Sequence, residues 1–476
     1  MEMTFYWHDY ETWGADPRRD RPAQFAGLRT DAELNPLGDP LVIYCKPSDD
    51  ILPQPEACLI TGITPRKALA EGLIEAEFIK RIHLELSLPG TCGVGYNSIR
   101  FDDEVTRYTL YRNFYDPYAR EWRDGNSRWD IIDMVRLTHA LRPEGITWPR
   151  HTDGKPSFRL EELTQANGIA HEAAHDALSD VRATIALVHL IKQRQPRLYH
   201  YVFENRSKNR VAQLLNLQQR GAVLHVSSMY PAEFGCIAMV MPLARHPTNP
   251  NGVIVYDLRH DPGPLLELDE AELHRRLFTA VSELPEGVER LPLKTVHLNK
   301  CPVVVPLNTL TPEAAARWSI DVAQGEAHRQ RLLAAEGVAE KVSRLHAMSE
   351  FEPVLDPDLA LYAGGFFSQD DRQRMDRILH STPRELAGFP QLFDDQRLPE
   401  MLFRYRARNW PETLTADERE RWEEYRQARL FEPDGGGSLQ MDDYLEILDR
   451  LEWDETLPSE KRRLIPELLA WAEQIG

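Results

Sequence analysis

Four carboxylates and one histidine carry the side-chain types that hydrolytic chemistry uses: Asp9, Glu11, Asp102, Asp180 and His175. Asp9 and Glu11 close the run Thr4 to Thr12, TFYWHDYET. On an extended chain their spacing of two puts them on one face with Phe5 and Trp7. Carboxylates at the end of an apolar strand are costly unless they are paired or bind a metal. Read singly, each residue has a plainer explanation. The Asp-x-Glu pair fits a solvated strand end or a turn. Asp102 fits an acid that favours a helix N-terminus. His175 fits a surface residue at a loop–helix junction. Read together, they suggest chemistry. Four converging carboxylates with no comparable lysines repel one another, and divalent cations relieve that repulsion. Hard oxygen ligands without cysteine suit Mg²⁺ or Mn²⁺ better than zinc. Two such ions suit phosphodiester cleavage: one helps form hydroxide and the other neutralises the leaving oxygen. A histidine, with a reference pKa of about 6.5, can take the proton from water at neutral pH. All of this requires the acids to meet in space.

The elements that must bring them together can be read in outline. Thr4 to Thr12, Gln24 to Thr30 and Leu41 to Cys45 read as a β-meander, with the turn-rich run Glu33 to Pro40 between the last two. Ala70 to Leu86 reads as a helix and Thr91 to Tyr96 as a short strand. Ile99, Asp102, Val105, Thr106, Thr109 and Leu110 recur at helical spacing. Asp102 therefore lies in the first turns of a helix, beside its apolar stripe, and Asp103 falls toward the polar side. Asp130 to Leu141 reads as a strand entering a helix, with Asp130 and Asp133 structural. Ser157 is a candidate cap for a helix over Phe158 to Asn167. Asp176 is the candidate N-cap of a helix over Ala177 to Gln193 that carries Asp180 one turn in.

Composition sets the class. The chain has 476 residues, 42% hydrophobic and 28% charged, enough for two to four domains. A net charge of −19 argues against broad coating of nucleic acid but not against a basic channel on an acidic body. No basic n-region with an apolar run opens the chain, so no secretory leader is expected. No apolar stretch is long enough for a membrane helix. Five cysteines without a CxxC suggest a reducing compartment, which points to the cytoplasm.

Asp9 and Glu11 in HDYET, Asp102 in GYNSIRFDDE, and His175 and Asp180 in HDALSD together resemble the motifs of the DEDDh 3′→5′ exonucleases, which have the ribonuclease H-like fold. The phrases DRPAQFAGLRTD, ITGIT, NFYDPYA, NSRWDIID, FFSQDDR and LFRYRARNWP extend the resemblance over essentially the whole chain, toward the bacterial exodeoxyribonuclease I family. The resemblance implies a single-strand-specific, sequence-independent enzyme that releases 5′-mononucleotides from DNA, with a role in DNA repair and recombination. It implies two Mg²⁺ held by Asp9, Glu11, Asp102 and Asp180, Mn²⁺ as a substitute, His175 as general base, and Thr12 against the terminal nucleotide. It also implies docking of the acidic-hydrophobic C-terminal tail of single-stranded DNA-binding protein, with Arg142 and Tyr201 resembling part of that surface. The acids and the histidine alone fit RNA, or both nucleic acids, equally well. A binding protein with vestigial catalytic residues is opposed by the intact set of five.

Texture changes at Pro196 and again near Glu352. The expected organisation is α/β: a mixed-sheet exonuclease domain over residues 1–195, an SH3-like α+β domain over 196–350, and an all-helical C-terminal domain over 351–476. Short strands and punctuating Asn-Pro and Asn-Gly pairs mark the second of these. The third holds a capping box at Thr415 and Glu418. It also holds Arg404, Arg406 and Arg408 among Phe403, Tyr405 and Trp410, a combination that serves phosphate neutralisation and base stacking. The same segment also reads as a helix whose aromatics are core and whose arginines meet acids. The resemblance favours a DNA-facing element. A monomer is expected.

Overall fold

The computed structural model describes residues 3–171, 175–348, 353–390 and 392–476. Its first sheet is built around β1, Thr4–Thr12, with β2 at Pro22–Thr30, β3 at Leu41–Tyr44, β4 at Thr91–Gly95 and β5 at Ser127–Asp130. The order is β3-β2-β1-β4-β5. β1 pairs antiparallel with β2 and parallel with β4, and β2 pairs antiparallel with β3, so the sheet is mixed. As the central strand, β1 buries Phe5, Tyr6, Trp7 and Tyr10. A strand flanked on both edges and covered on both faces reads as a nearly unbroken apolar run.

Between β3 and β4 the chain makes three helices rather than one: Pro55–Thr61, Pro65–Glu71 and Glu75–Leu86. Prolines supply two of the helix starts. Pro55 and Pro65 occupy first helical positions, where the missing N–H costs nothing, and the Thr64 side chain accepts from the Lys67 N–H. Gly62, at φ 69°, ends the first of them. Ser157 is not a helix cap either. Its Oγ accepts from the Arg159 N–H within a turn, and the helix runs Leu160–Ala166.

The second sheet comprises β6 at Val223–Val226, β7 at Ile237–Arg245, β8 at Gly252–Asp257, β9 at Leu293–His297 and β10 at Val303–Pro306. Its order is β10-β6-β7-β8-β9 with every neighbour antiparallel. Val211, Val240, Val255 and Val304 share the core on one of its sides. Helices Pro312–Arg317, Val322–Ala334 and Val338–Ala347 follow. The last part is helical, including Gln369–His380, Arg397–Asn409, Ala416–Phe431, Met441–Glu452 and Ile465–Ile475. The Thr415–Glu418 capping box is formed. The fold is thus a mixed-sheet domain, a five-stranded antiparallel domain and a helical domain, in that order along the chain.

The chain packs as two compact units. One joins Met1–Arg128, His171–Ile185 and Glu352–Gly476; the other joins Trp129–Ala170 and Ala186–Phe351. In the first unit Trp13, Ile51 and Leu52 share a core with Tyr444, Leu468 and Trp471 from the helical end. A texture boundary in sequence therefore does not mark how segments associate.

The helix Arg397–Asn409 shows why. The side chains of Arg404, Arg406 and Arg408 are only 9%, 4% and 4% exposed and turn inward, not toward DNA. Arg404 bonds Asp356 at 2.6 Å and Glu400 at 2.8 Å. Arg406 bonds Glu418 at 2.6 Å. Arg408 bonds Asp358 at 2.8 Å and Asp50 at 2.9 Å. Their guanidiniums neutralise acids of the same unit, among them the buried Asp50 and Asp358, which corrects the expectation that they track phosphates. Buried charges persist only when paired and hydrogen-bonded, and here they are.

Candidate active site

The candidate acids arrive from three elements of the first unit. β1 delivers Asp9, half-buried and opposite Ala26, and Glu11, buried and opposite Gln24. The β1–β2 register shifts between Glu11 and Thr12. Such irregularities turn a strand and re-aim its side chains. β4 pairs with β1 only as far as Trp7. Beyond that point the Tyr10 N–H donates to Asp102 Oδ1 at 3.0 Å. Asp102, buried at the start of the helix Asp102–Arg112, is thereby tied between Asp9 and Glu11. Gly95 lets the chain turn here, since a Cβ would lie 2.6 Å from Ser98 Cβ and 3.3 Å from the His8 carbonyl.

Asp180 comes from the helix Ala177–Arg194. Asp176 Oδ2 accepts the Ser179 N–H at 3.1 Å, the N-cap bond its position suggests. The Ala177 N–H donates to Gln24 Oε1 at 3.4 Å, which anchors the helix start to β2. Asp180 Oδ2 accepts the His175 N–H at 3.2 Å, and Oδ1 meets His171 Nε2 at 2.5 Å. His175 is exposed and sits at φ 67°. A non-glycine residue held there carries backbone strain, of order 1–3 kcal/mol, that the surroundings must offset. Glu11, His175 and Asp180 can each offer a ligand atom such that all three lie within 4.8 Å of one another.

The electrostatics record the same convergence. Burial, then Asp180 and Asp102, pushes the Glu11 carboxyl up to about 9. Burial, then Asp102, Glu11 and Asp180, pushes Asp9 well above the carboxylate range. Burial raises Asp180 too, against the opposing pull of His171 and His175. Acids placed so that they disfavour each other's ionisation form a site whose charge is completed by a cation. The donors are oxygens, with imidazole alongside, which fits a hard divalent ion. Beside them opens a cavity of about 690 Å³, lined by Glu11, Thr12, Ile60, Phe101 and His175. Thr12 Oγ1 donates to the Gly14 carbonyl at 2.6 Å.

Asp103 departs from expectation. It is buried, not on a polar face, and bonds Arg120 at 2.6 Å and Arg128 at 3.3 Å. Burial opposes its ionisation, yet the two guanidiniums hold its carboxyl below the usual range. Helical periodicity places a side chain on a face but does not reveal a buried arginine pair waiting there. Arg142 and Tyr201 lie in the second unit. They line one cavity of about 520 Å³ with Leu137, Leu141, Val305 and Thr309.

Sequence reasoning missed an aromatic cleft along the helix that Asp102 opens. A cavity of about 580 Å³ is lined by Tyr111, Tyr115, Tyr118, Trp122, Phe366 and Phe367. Trp122 is 64% exposed and Phe366 84%. At about 1.5 Å per residue, Tyr111 lies roughly 13 Å along the axis from Asp102. The signal was present in NFYDPYA and GGFF, but aromatics in a sequence do not announce which of them stay uncovered.

Comparison with known proteins follows the same order of domains. The family described as Exonuclease matches residues 6–188, the Exonuclease I SH3-like domain matches 206–348, and the Exonuclease I C-terminal domain matches 355–475. Exodeoxyribonuclease I of Escherichia coli K12 is 48% identical over 476 residues, covering 100% of this chain and 98% of that protein. Among solved structures, a moderately thermophilic exonuclease I from Methylocaldum szegediense is 55% identical, with a TM-score of 0.95 and 99% of each chain covered. The E. coli exonuclease I in complex with a dA16 oligonucleotide is 48% identical, with a TM-score of 0.95 and 100% of each chain covered. A zinc-bound form of the E. coli enzyme with single-stranded DNA has a TM-score of 0.94 at 47% identity, with 100% of each chain covered.

Proposed function

This chain belongs to the exodeoxyribonuclease I family, and from that membership we infer that it removes nucleotides one at a time from the 3′ ends of single-stranded DNA. It is an enzyme, a phosphodiester hydrolase of DNA repair. The observation that carries the reading is the meeting of Glu11, His175 and Asp180, with Asp102 tied between Asp9 and Glu11.

Asp9, Glu11, Asp102 and Asp180 would hold the divalent ions, Mg²⁺ by preference and Mn²⁺ as a substitute. Bound there, two such ions supply positive charge at the scissile phosphate and lower the pKa of water. The residues supply the rest. His175, exposed and lining the cavity, accepts the proton of the attacking water on a ring nitrogen. Its backbone bond to Asp180 keeps the imidazole beside the acids. The water oxygen bonds to phosphorus and the bond to the preceding 3′-oxygen breaks. The released nucleotide keeps its 5′-phosphate, and the shortened strand takes a proton on its new 3′-hydroxyl. Thr12 and Phe101 line the cavity that receives the terminal nucleotide. The aromatic cleft bearing Trp122 and Phe366 receives bases further along the strand, by stacking that tolerates any sequence.

The cavity around Arg142 and Tyr201 suits the acidic-hydrophobic tail of single-stranded DNA-binding protein: Leu137, Leu141 and Val305 offer apolar contact, and Arg142 and Arg197 offer charge to carboxylates. We take one chain as the active unit, since one chain supplies every acid. Five free cysteines suit a cytoplasmic location, and among the described residues no helix is long and apolar enough to cross a membrane.

The test uses one single strand labelled separately at each end, and its RNA counterpart. Mononucleotides should leave the 3′ end first, cleavage should stop in EDTA and return with Mg²⁺, and Asp9→Ala should abolish it. Early release from the 5′ end, internal cuts, or full activity of D9A would overturn the assignment. Equal cleavage of the RNA strand would move the substrate class.

A further inference from the structure

We propose that His171 is a positioning residue for Asp180, holding one carboxylate oxygen so that the acid presents a fixed set of lone pairs to a divalent cation. The inference rests on the reading of Asp180 as a metal ligand.

His171 Nε2 lies 2.5 Å from Asp180 Oδ1, and the side chains are 6% and 17% exposed. The bond is sheltered, so water does not readily replace it. The other oxygen, Oδ2, accepts the His175 N–H at 3.2 Å. Asp180 is therefore held at both oxygens by donors that precede it in the chain. Neither bond exhausts an oxygen, since each has a second lone-pair site. The terminal torsion of an aspartate is broad, so an acid in the first turn of a helix is poorly oriented by packing alone. Partners behind a metal ligand fix its plane and tune its basicity, and their loss costs about 10–100-fold in metal affinity or activity.

The spelling HEAAH, from His171 to His175, invites another reading in which two histidines one helical turn apart bind zinc. That motif needs a helix across both residues. Here the helix begins at Ala177 and His175 sits at φ 67°. His171 faces Asp180 instead.

The experiment measures Mn²⁺ binding to DNA-free protein by electron paramagnetic resonance. His171→Phe keeps a ring and removes the N–H; His171→Gln restores a donor at similar reach; Asp180→Asn serves as the control. H171F should weaken Mn²⁺ binding by about 10–100-fold, and H171Q should recover most of it. Single-turnover cleavage by H171F should approach the native rate once Mn²⁺ is saturating. Native or tighter Mn²⁺ binding by H171F, with D180N weakened, overturns the role of His171 alone; a D180N protein that binds as well as native overturns the ligand reading of Asp180. Should H171F fail to fold, the native protein with ¹⁵N-labelled histidine decides. The His171 Nε2 proton should persist in its hydrogen bond as Mg²⁺ is added, and its loss would overturn the proposal.

Discussion

Asp9 and Glu11 are held in surroundings that disfavour their charged forms. Burial and mutual repulsion raise both carboxyls. Asp9→Asn should therefore raise the melting temperature of the metal-free protein while removing turnover, a trade common at functional sites. Calorimetry beside a cleavage assay tests it, and an unchanged or lower melting temperature would contradict the reading. His175 gives a different signature. With His175 as the proposed acceptor of the water proton, its loss in His175→Ala should slow single-turnover cleavage by about 10²–10⁴-fold, and the native rise of rate with pH should flatten. Its ring also lies within reach of Glu11 and Asp180. If it served mainly as a ligand, excess Mg²⁺ would restore H175A; the proposal expects no such rescue.

The helix Arg397–Asn409 and the segments it faces behave as one electrostatic element. Asp50 is buried among Arg21, Arg408 and Arg429 at 3.7, 2.9 and 3.5 Å. Glu75 lies 3.3 Å from Arg21 and 3.4 Å from Arg112. Burial opposes ionisation of Glu75, but Arg112 and Arg21 bring its carboxyl from 4.5 down to about 2. Because the folded-state value is depressed, the stability it contributes is present above about pH 4.5 and is lost as pH falls toward about 2. Acid unfolding of the native protein should steepen across that window. Glu75→Gln should flatten it and cost of order 3–5 kcal/mol at neutral pH by stranding the Arg112 guanidinium and leaving Arg21 with Asp50 alone. Arg408→Ala should cost a similar amount in denaturant unfolding, yet leave the affinity of the folded fraction for DNA unchanged. Weaker DNA binding without lost stability would return Arg408 to the DNA-facing role.

At the scale of the molecule, a chain of net charge −19 must hold its polyanionic substrate through local surfaces. Exposed aromatics would meet that need, because stacking carries no charge penalty. Trp122→Ala and Phe366→Ala should each weaken binding of a single-stranded oligonucleotide by about 1–3 kcal/mol, read by fluorescence anisotropy, while hydrolysis of a dinucleotide stays near native. Loss on the dinucleotide as well would place these rings at the reacting centre. Native affinity in both variants would remove the cleft from the DNA path. Binding should also fall as salt rises, since any phosphate contacts displace counterions.

Local rules sufficed where a feature depends on neighbours in sequence. The strand Thr4–Thr12, the Asp176 cap and the capping box at Thr415 rest on an apolar run, hydrogen-bonding side chains and fixed short spacings. The motif spelling around Asp9, Asp102 and Asp180 reached further, because the resemblance carries tertiary information that no periodicity contains. What only the tertiary structure decided depends on partners far along the chain. Asp103 looked like a solvent-side acid until Arg120 and Arg128 enclosed it. Arg404, Arg406 and Arg408 looked like a phosphate track until Asp356, Glu418 and Asp50 took their donors. His171 carried no signal beyond its residue type until the fold placed it against Asp180. An ionisable side chain has the same composition and spacing whether it meets solvent, substrate or a buried counter-charge. Which of these it meets is set by burial and pairing, and those exist only once distant segments have packed.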